Sequence, residues 1–458
     1  MTTSDTSLNP SPYLTTAPKT GNGFFSIGGK VLLMSLPLMV GSLTAATQAI
    51  AKLGLLTYHN DTDALFIFSM VQPGFILMLA FMESLAISNQ VFSSRSVKTW
   101  PKGDVFRATR FFSILGSVLI GLVAGAIYAA QNIVPADNVM HPILPKMALF
   151  VVSFIPFFVF EAKNAALRGQ GRTGVALIPF AVLIVVDLVV TAIGILVYDL
   201  GFDAILLGNL VGPLVAYPVI HYLLRKEIGA AEPSVNEGYR RNVIRMLIGV
   251  AVPTFLTTFA GSIAAMIIFP MLASFGSETV SSFVLVIRMR VLFIIPAIAA
   301  GSAIAIMINT KDDQEHGEES RRILKYGASM IALIYVVATT ILFLTYENVV
   351  GLMVPGENAA LQSDTVTLFG LLIFTFFLIA VGTMLQVVLE HLGKGALVLV
   401  TTILAEAITV GFAIYLLQTG SGLTPLTMVM TGAAAFSTLA YCVFFARLVK
   451  NLGASDAV

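Results

Sequence analysis

Twelve long apolar runs joined by short polar connections divide this chain, at roughly 31–57, 64–92, 108–131, 142–166, 174–198, 203–224, 243–272, 280–308, 326–346, 363–389, 395–418 and 423–446. A hydrocarbon core about 30 Å thick is crossed by about 20 apolar residues of helix. Backbone polar groups inside lipid must be satisfied within the segment, so each run predicts one membrane-spanning helix; they are spans 1 to 12 in chain order. Composition agrees: of 458 residues 57% are hydrophobic and 11% charged, with mean hydropathy +0.91. Soluble domains carry about 25% charge, so a soluble enzyme and a disordered chain are both excluded. A net charge of +1 leaves no basic surplus to neutralise phosphates, and no nucleic-acid partner is expected. The single cysteine, Cys442, excludes a disulfide framework.

Basic residues test the segmentation, because loops on the cytoplasmic side carry an excess of Lys and Arg. Counting the N-terminal tail, alternate connections and the C-terminus, 22 of the 26 basic residues fall on one side; the opposite connections hold only Lys146. The expectation is a multi-pass protein of the cell inner (cytoplasmic) membrane with both termini cytoplasmic. Residues 1–22 are rich in Ser, Thr, Pro and Asn without an apolar stretch, which reads as a tail and not a signal peptide.

The longest polar connection falls halfway, and the halves resemble each other. Leu167-Arg168-Gly169-Gln170-Gly171-Arg172, between spans 4 and 5, aligns with Leu389-Glu390-His391-Leu392-Gly393-Lys394, between spans 10 and 11. In each, a Leu stands four residues before a Gly followed by a base. Pro37 early in span 1 matches Pro253 early in span 7. The expected fold is an all-α polytopic membrane protein, twelve helices in two six-helix lobes related by a pseudo-two-fold along the membrane normal. Its divisions are a tail at 1–30, an N-lobe at 31–226, a linker at 227–242, a C-lobe at 243–448 and a tail at 449–458. Such repeats suit a path between lobes that opens alternately to either side.

The segment Leu167-Arg168-Gly169-Gln170-Gly171-Arg172-Thr173, followed by an apolar span carrying Asp187, resembles the helix 4–5 junction of the multidrug and toxic compound extrusion (MATE) family. The prolines of spans 1 and 7 and the polar end of span 2, Ser88-Asn89-Gln90, fit the same resemblance. It implies a cation-coupled exporter with twelve helices in two lobes and cytoplasmic termini. It carries over Asp187 but not the family's sodium site. Lys52 stands where the first span usually has an acid, Leu183 where span 5 usually has an Asn, and Gly261 and Thr383 where spans 7 and 10 of sodium-coupled members have acids.

A charge at the centre of a spanning helix costs about 2.5–3.5 kcal/mol on insertion scales, so it pairs or faces water. The candidates for ion coupling are Asp187, Glu83, Glu161 and Glu406. Asp187 lies 13 residues into span 5, roughly 20 Å deep at 1.5 Å per residue. Removing a carboxylate from water favours its protonated form, so Asp187 can take a proton outside and lose it inside; the alternative is a fixed ion pair with Lys52. Glu83 is either a second proton carrier or the partner of a nearby amide, and Glu161 a coupling acid or a helix-end charge near Lys163. Glu406 gives the second lobe an acid at a depth similar to Asp187.

The candidates for substrate binding are Arg288, Arg290, Lys52, Gln48, Gln72, Asn164, Asn209 and Gln386. Arg288 and Arg290 point in directions about 160° apart on one helix, so one lines a path while the other meets lipid headgroups or Glu406. The amides either hydrogen-bond substrate or join helices. No Walker loop is present, which removes ATP as the energy source, and the five histidines lack metal-ligand spacing. The function expected is a secondary-active, H⁺-coupled antiporter exporting small organic compounds, with Na⁺ the less favoured ion and no other cofactor or metal. The partners expected are a small-molecule substrate and membrane lipid, with the protein monomeric. Alternatives are a flippase of lipid-linked oligosaccharides, left open by the three deep basic residues, and an exporter dedicated to one natural product or siderophore.

Overall fold

The computed structural model describes residues 23–59, 61–97, 100–138, 140–229, 238–272, 277–310, 316–354, 359–419 and 423–454. Residues 1–22 of the expected tail, 230–237 of the expected linker and the side chain of Gln72 lie outside the described ones. The described residues are helical, with no strand among them. Span 1 is Phe24–Tyr58, span 3 Gly103–Ala130, span 5 Thr173–Leu196 and span 6 Phe202–Ile228. Span 2 is a broken pair, Thr62–Met70 and Gln72–Arg95, and so is span 4, Ile143–Ser153 and Ile155–Gly169. Both second segments open with a proline in their first two positions, where its missing N–H costs nothing. Span 7 runs through Gly238–Met246, a π turn at Leu247–Ala251 and Val252–Leu272. The remaining spans are Ser277–Asn309, His316–Met353, Ala359–Leu389, Gly395–Gln418 and Leu423–Ala454.

Ten stretches of the described chain are long and apolar enough to cross a membrane. One of them, Leu361–Leu416, has 56 residues, about 84 Å if it were straight helix. That is far more than one crossing needs, and it is two spans folded back at Gly393, whose φ is +81°. Span 2 adds the twelfth. Span 1 begins at Phe24, earlier than its apolar run, because Ile27 and Val31 already pack against Ala300, Ile304 and Ala328.

The two repeat-related junctions share a backbone feature. Gly171 and Gly393, aligned in the sequence, have φ of +77° and +81°, a region that glycine enters without a Cβ penalty. Gly169 is needed for a different reason. A Cβ there would lie 2.3 Å from the backbone oxygen of Gln90, so spans 2 and 4 touch through this glycine. Gly169→Ala is expected to destabilise the purified protein by about 1–3 kcal/mol through overpacking; a thermal unfolding midpoint equal to wild type would contradict that close approach.

Contacts between the two six-span lobes gather at one end, the end bearing the Lys- and Arg-rich connections. There Val31 of span 1 is buried among spans 8 and 9. Val243, Met246 and Val250 of span 7 join the cluster of spans 2, 3 and 4. Phe81 stacks on Phe255 at 4.2 Å, and Arg107 of span 3 lies 4.9 Å from the Tyr239 ring. At the other end, two apolar clusters each stay within one lobe: Leu56, Val71, Phe150, Ile195 and Phe202 in the first, Ile268, Phe283, Val350, Leu368 and Phe369 in the second.

Candidate functional site

Within the first lobe, four spans converge on Asp187. Its side chain is 1% exposed, and its Oδ2 lies 2.7 Å from Lys52 Nζ of span 1. Gln48, one turn before Lys52, donates from Nε2 to the same oxygen. Lys52 Nζ also donates to Asn209 Oδ1 of span 6 at 2.7 Å, and Asn209 Nδ2 donates to Ser153 Oγ of span 4 at 3.1 Å. The second oxygen, Oδ1, faces Gly208 of span 6 beside Thr191 Oγ1; a Cβ on Gly208 would stand 2.2 Å from each. A buried carboxylate and a buried ammonium thus neutralise each other. Breaking such a pair from one side costs about 3–5 kcal/mol, because the remaining charge is left without a partner.

Within the second lobe lies a cavity of about 340 Å³, with walls from spans 7, 8, 10, 11 and 12. Arg290 and Glu406 both line it, as do Gln386, Gly261 and Thr383. Arg290 is half-buried and donates from Nη1 to Thr375 Oγ1 at 3.4 Å. The guanidinium and the Glu406 carboxylate influence each other electrostatically yet form no ion pair within 4.0 Å. Arg288, two residues earlier, is exposed and does not line the cavity. The divergence of the two arginines therefore places Arg290 inward.

A third polar group sits where the lobes meet at the basic end. Arg168 Nη2 pairs with Glu161 Oε1 at 2.5 Å, and its Nε donates to Gln90 Oε1 of span 2 at 3.2 Å. Gln90 Nε2 in turn lies 3.4 Å from His391 Nε2 of the second lobe. Glu83 is exposed and has Glu161 and Arg168 as charged neighbours; it also acts on Glu390, which Gln386 holds through a 3.1 Å hydrogen bond.

The structure thus brings Lys52, Gln48, Asn209 and Asp187 together, gathers Arg290, Glu406 and Gln386 around one cavity, and places Glu83 and Glu161 at the lobe junction. Glu161 does not meet Lys163, as the sequence suggested. Residues two apart face different sides of a helix, and Lys163 bonds Tyr217 Oη and His221 Nδ1, each at 2.9 Å. Asn164 is buried, its Nδ2 donating to Glu161 Oε2 at 3.4 Å. Sequence reasoning did not single out Gln90, Arg168, Glu390 and His391 as one group. The available signal was the repeat itself, since Arg168 and His391 belong to the two aligned junctions and both reach Gln90.

No family model matches the chain. The multidrug export protein MepA of Staphylococcus saprophyticus is 21% identical over 439 residues, 92% of this chain and 91% of its own length. Among solved structures, a MOP superfamily transporter from Pyrococcus furiosus aligns with a TM-score of 0.81 at 17% identity, covering 94% of this chain and 99% of that one. A mutant of the Vibrio cholerae MATE transporter VcmN aligns with a TM-score of 0.81 at 14% identity, covering 93% and 98%. The likeness first visible at Leu167–Thr173 therefore extends along nearly the whole chain, and the chain shares the fold of these MATE and MOP superfamily transporters, twelve helices in two lobes.

Proposed function

We propose that the protein exports small organic compounds across the cell inner membrane in exchange for protons, by alternating access between its two lobes, with both termini cytoplasmic. The observation that carries this reading is the Lys52–Asp187 pair, buried among four spans of one lobe. Neutral as a pair, it costs the lobe little while closed. A proton arriving at Oδ1 cancels the carboxylate charge and leaves the Lys52 ammonium uncompensated. The ammonium then moves toward water, and span 1, which also packs on spans 8 and 9, moves with it. Opening the pair costs about 3–5 kcal/mol. One charge crossing 100 mV supplies about 2.3 kcal/mol, which is of the same order. Lys52 also favours a proton over a metal cation as the coupling ion, because its ammonium at Oδ2 repels a second cation beside Asp187, whereas a proton attaches to the carboxylate oxygen itself.

The basic end is cytoplasmic in this reading, so the described form is closed toward the cytoplasm by the contacts of spans 1, 2, 7, 8 and 9. The test is uptake into inverted membrane vesicles of three radiolabelled indole compounds: tryptophan (a zwitterion), tryptamine (a cation) and indole-3-propionate (an anion). A pH gradient or a sodium gradient is imposed separately. Uptake of at least one compound is expected with the pH gradient alone. Uptake that follows only sodium, or none with either gradient, would overturn the proton-driven reading.

A further inference from the structure

The cavity of the second lobe holds two opposite charges that do not satisfy each other. We infer that it is a binding site for a small zwitterion, a compound with a carboxylate and an ammonium on a compact apolar body, and this inference rests on the exporter reading above.

Arg290 offers the anionic end its partner. Its hydrogen bond to Thr375 is long, 3.4 Å, and Thr375 already donates to the Leu372 carbonyl at 2.5 Å, so most of the guanidinium's five donors remain available to the cavity. Glu406 offers the cationic end its partner. Among the described residues it accepts no hydrogen bond and forms no ion pair, and it lies against Gly261, where an added Cβ would stand 3.8 Å from Oε1. The Tyr441 hydroxyl, also on the cavity wall, is paired with Thr402 Oγ1 at 2.8 Å and hydrogen-bonds neither charge.

Between the poles the wall is apolar, with Ile268, Phe283, Ile287 and Met430. A volume of about 340 Å³ is at the lower end of small-molecule sites, about 300–1,000 Å³. A charge held in a low-dielectric pocket discriminates strongly against a ligand that leaves it unpaired. A simple cation would leave Arg290 unmatched and a simple anion would leave Glu406 unmatched; a zwitterion matches both. Gly261 keeps the space beside Glu406 open.

The experiment measures equilibrium binding of the three indole compounds to the purified full-length protein, by calorimetry in detergent. In the wild type, tryptophan is expected to bind about tenfold tighter than either tryptamine or indole-3-propionate, one unpaired charge being worth at least that factor. Arg290→Gln removes the advantage over tryptamine, and Glu406→Gln removes the advantage over indole-3-propionate. Gly261→Leu, which keeps both charges, blocks all three by filling the cavity, while retained tryptamine binding in Arg290→Gln and retained indole-3-propionate binding in Glu406→Gln show that the charge variants are folded. Tryptophan binding no tighter than both single-charge compounds, or an unchanged preference in the two charge variants, would overturn the assignment. If that happens while vesicles still accumulate a compound under the pH gradient, only the cavity assignment fails. If the binding pattern holds while vesicles show no gradient-driven uptake, the exporter reading fails and the site stands.

Discussion

Lys52→Ala lowers the stability of the purified protein by about 3–5 kcal/mol, whereas the double replacement Lys52→Met with Asp187→Leu restores most of it. The reason is the asymmetry of buried charge. Alanine at position 52 leaves the Asp187 carboxylate, 1% exposed, facing only Gln48 and Thr191, and takes from Asn209 its 2.7 Å hydrogen bond. Apolar residues of similar volume remove both charges and fill the space, which in buried ion pairs is often neutral or stabilising. Transport separates the two effects, since gradient-driven uptake is lost in the single and in the double variant alike. Thermal unfolding and vesicle uptake measured on the same preparations check this. A double variant as unstable as Lys52→Ala would show that the pair matters through packing and not through charge.

Arg168→Ala loosens the closed end of the molecule. Arg168 holds Glu161 at 2.5 Å and Gln90 at 3.2 Å, and Gln90 is the residue of the first lobe that reaches His391 of the second. Both bonds lie within the first lobe and act on the closed end by holding Gln90 toward His391. Charge-assisted hydrogen bonds are worth about 1.5–3 kcal/mol each, and weakening the crossing contact through them moves the balance between closed and open forms by about tenfold. The readout is maleimide labelling of Val31→Cys in a Cys442→Ser background. Val31 is fully buried between the lobes, while Cys442 is exposed and must be removed. Labelling at position 31 rises about tenfold in Arg168→Ala and at least as much in Gln90→Leu, which removes the crossing contact to His391 itself. An unchanged rate would mean that the apolar contacts alone keep this end shut.

How much of this was legible in the sequence depends on the kind of signal. The twelve spans were readable because lipid enforces about 20 apolar residues per crossing and charge asymmetry checks the count. The equivalence of the two junctions was readable too, and the matching backbone of Gly171 and Gly393 follows from it. The breaks in spans 2 and 4 were less visible. Pro73 and Pro156 signal them, but hydropathy runs smoothly across both.

For the site, helix direction alone brought out that Arg288 and Arg290 diverge, yet it could not say which points inward. The depth of Asp187 and Lys52 suggested a pair, and the structure makes it. What periodicity could not supply was the convergence of Gln90, Arg168 and His391, because these residues are up to 301 positions apart and meet only once two lobes have packed. Glu161 shows the opposite error. Proximity in sequence suggested Lys163, while the helix turns that lysine toward Tyr217 and His221.

The central claim is that a proton drives transport through Asp187. Its most direct test is accumulation of the three indole compounds in inverted vesicles under an imposed pH gradient, wild type against Asp187→Asn at equal amounts of folded protein. The asparagine keeps the size of the side chain and removes the titrating oxygen. Accumulation that collapses to the level of vesicles without the protein is the expected result. Accumulation in Asp187→Asn equal to wild type would remove Asp187 from the coupling step and contradict the mechanism.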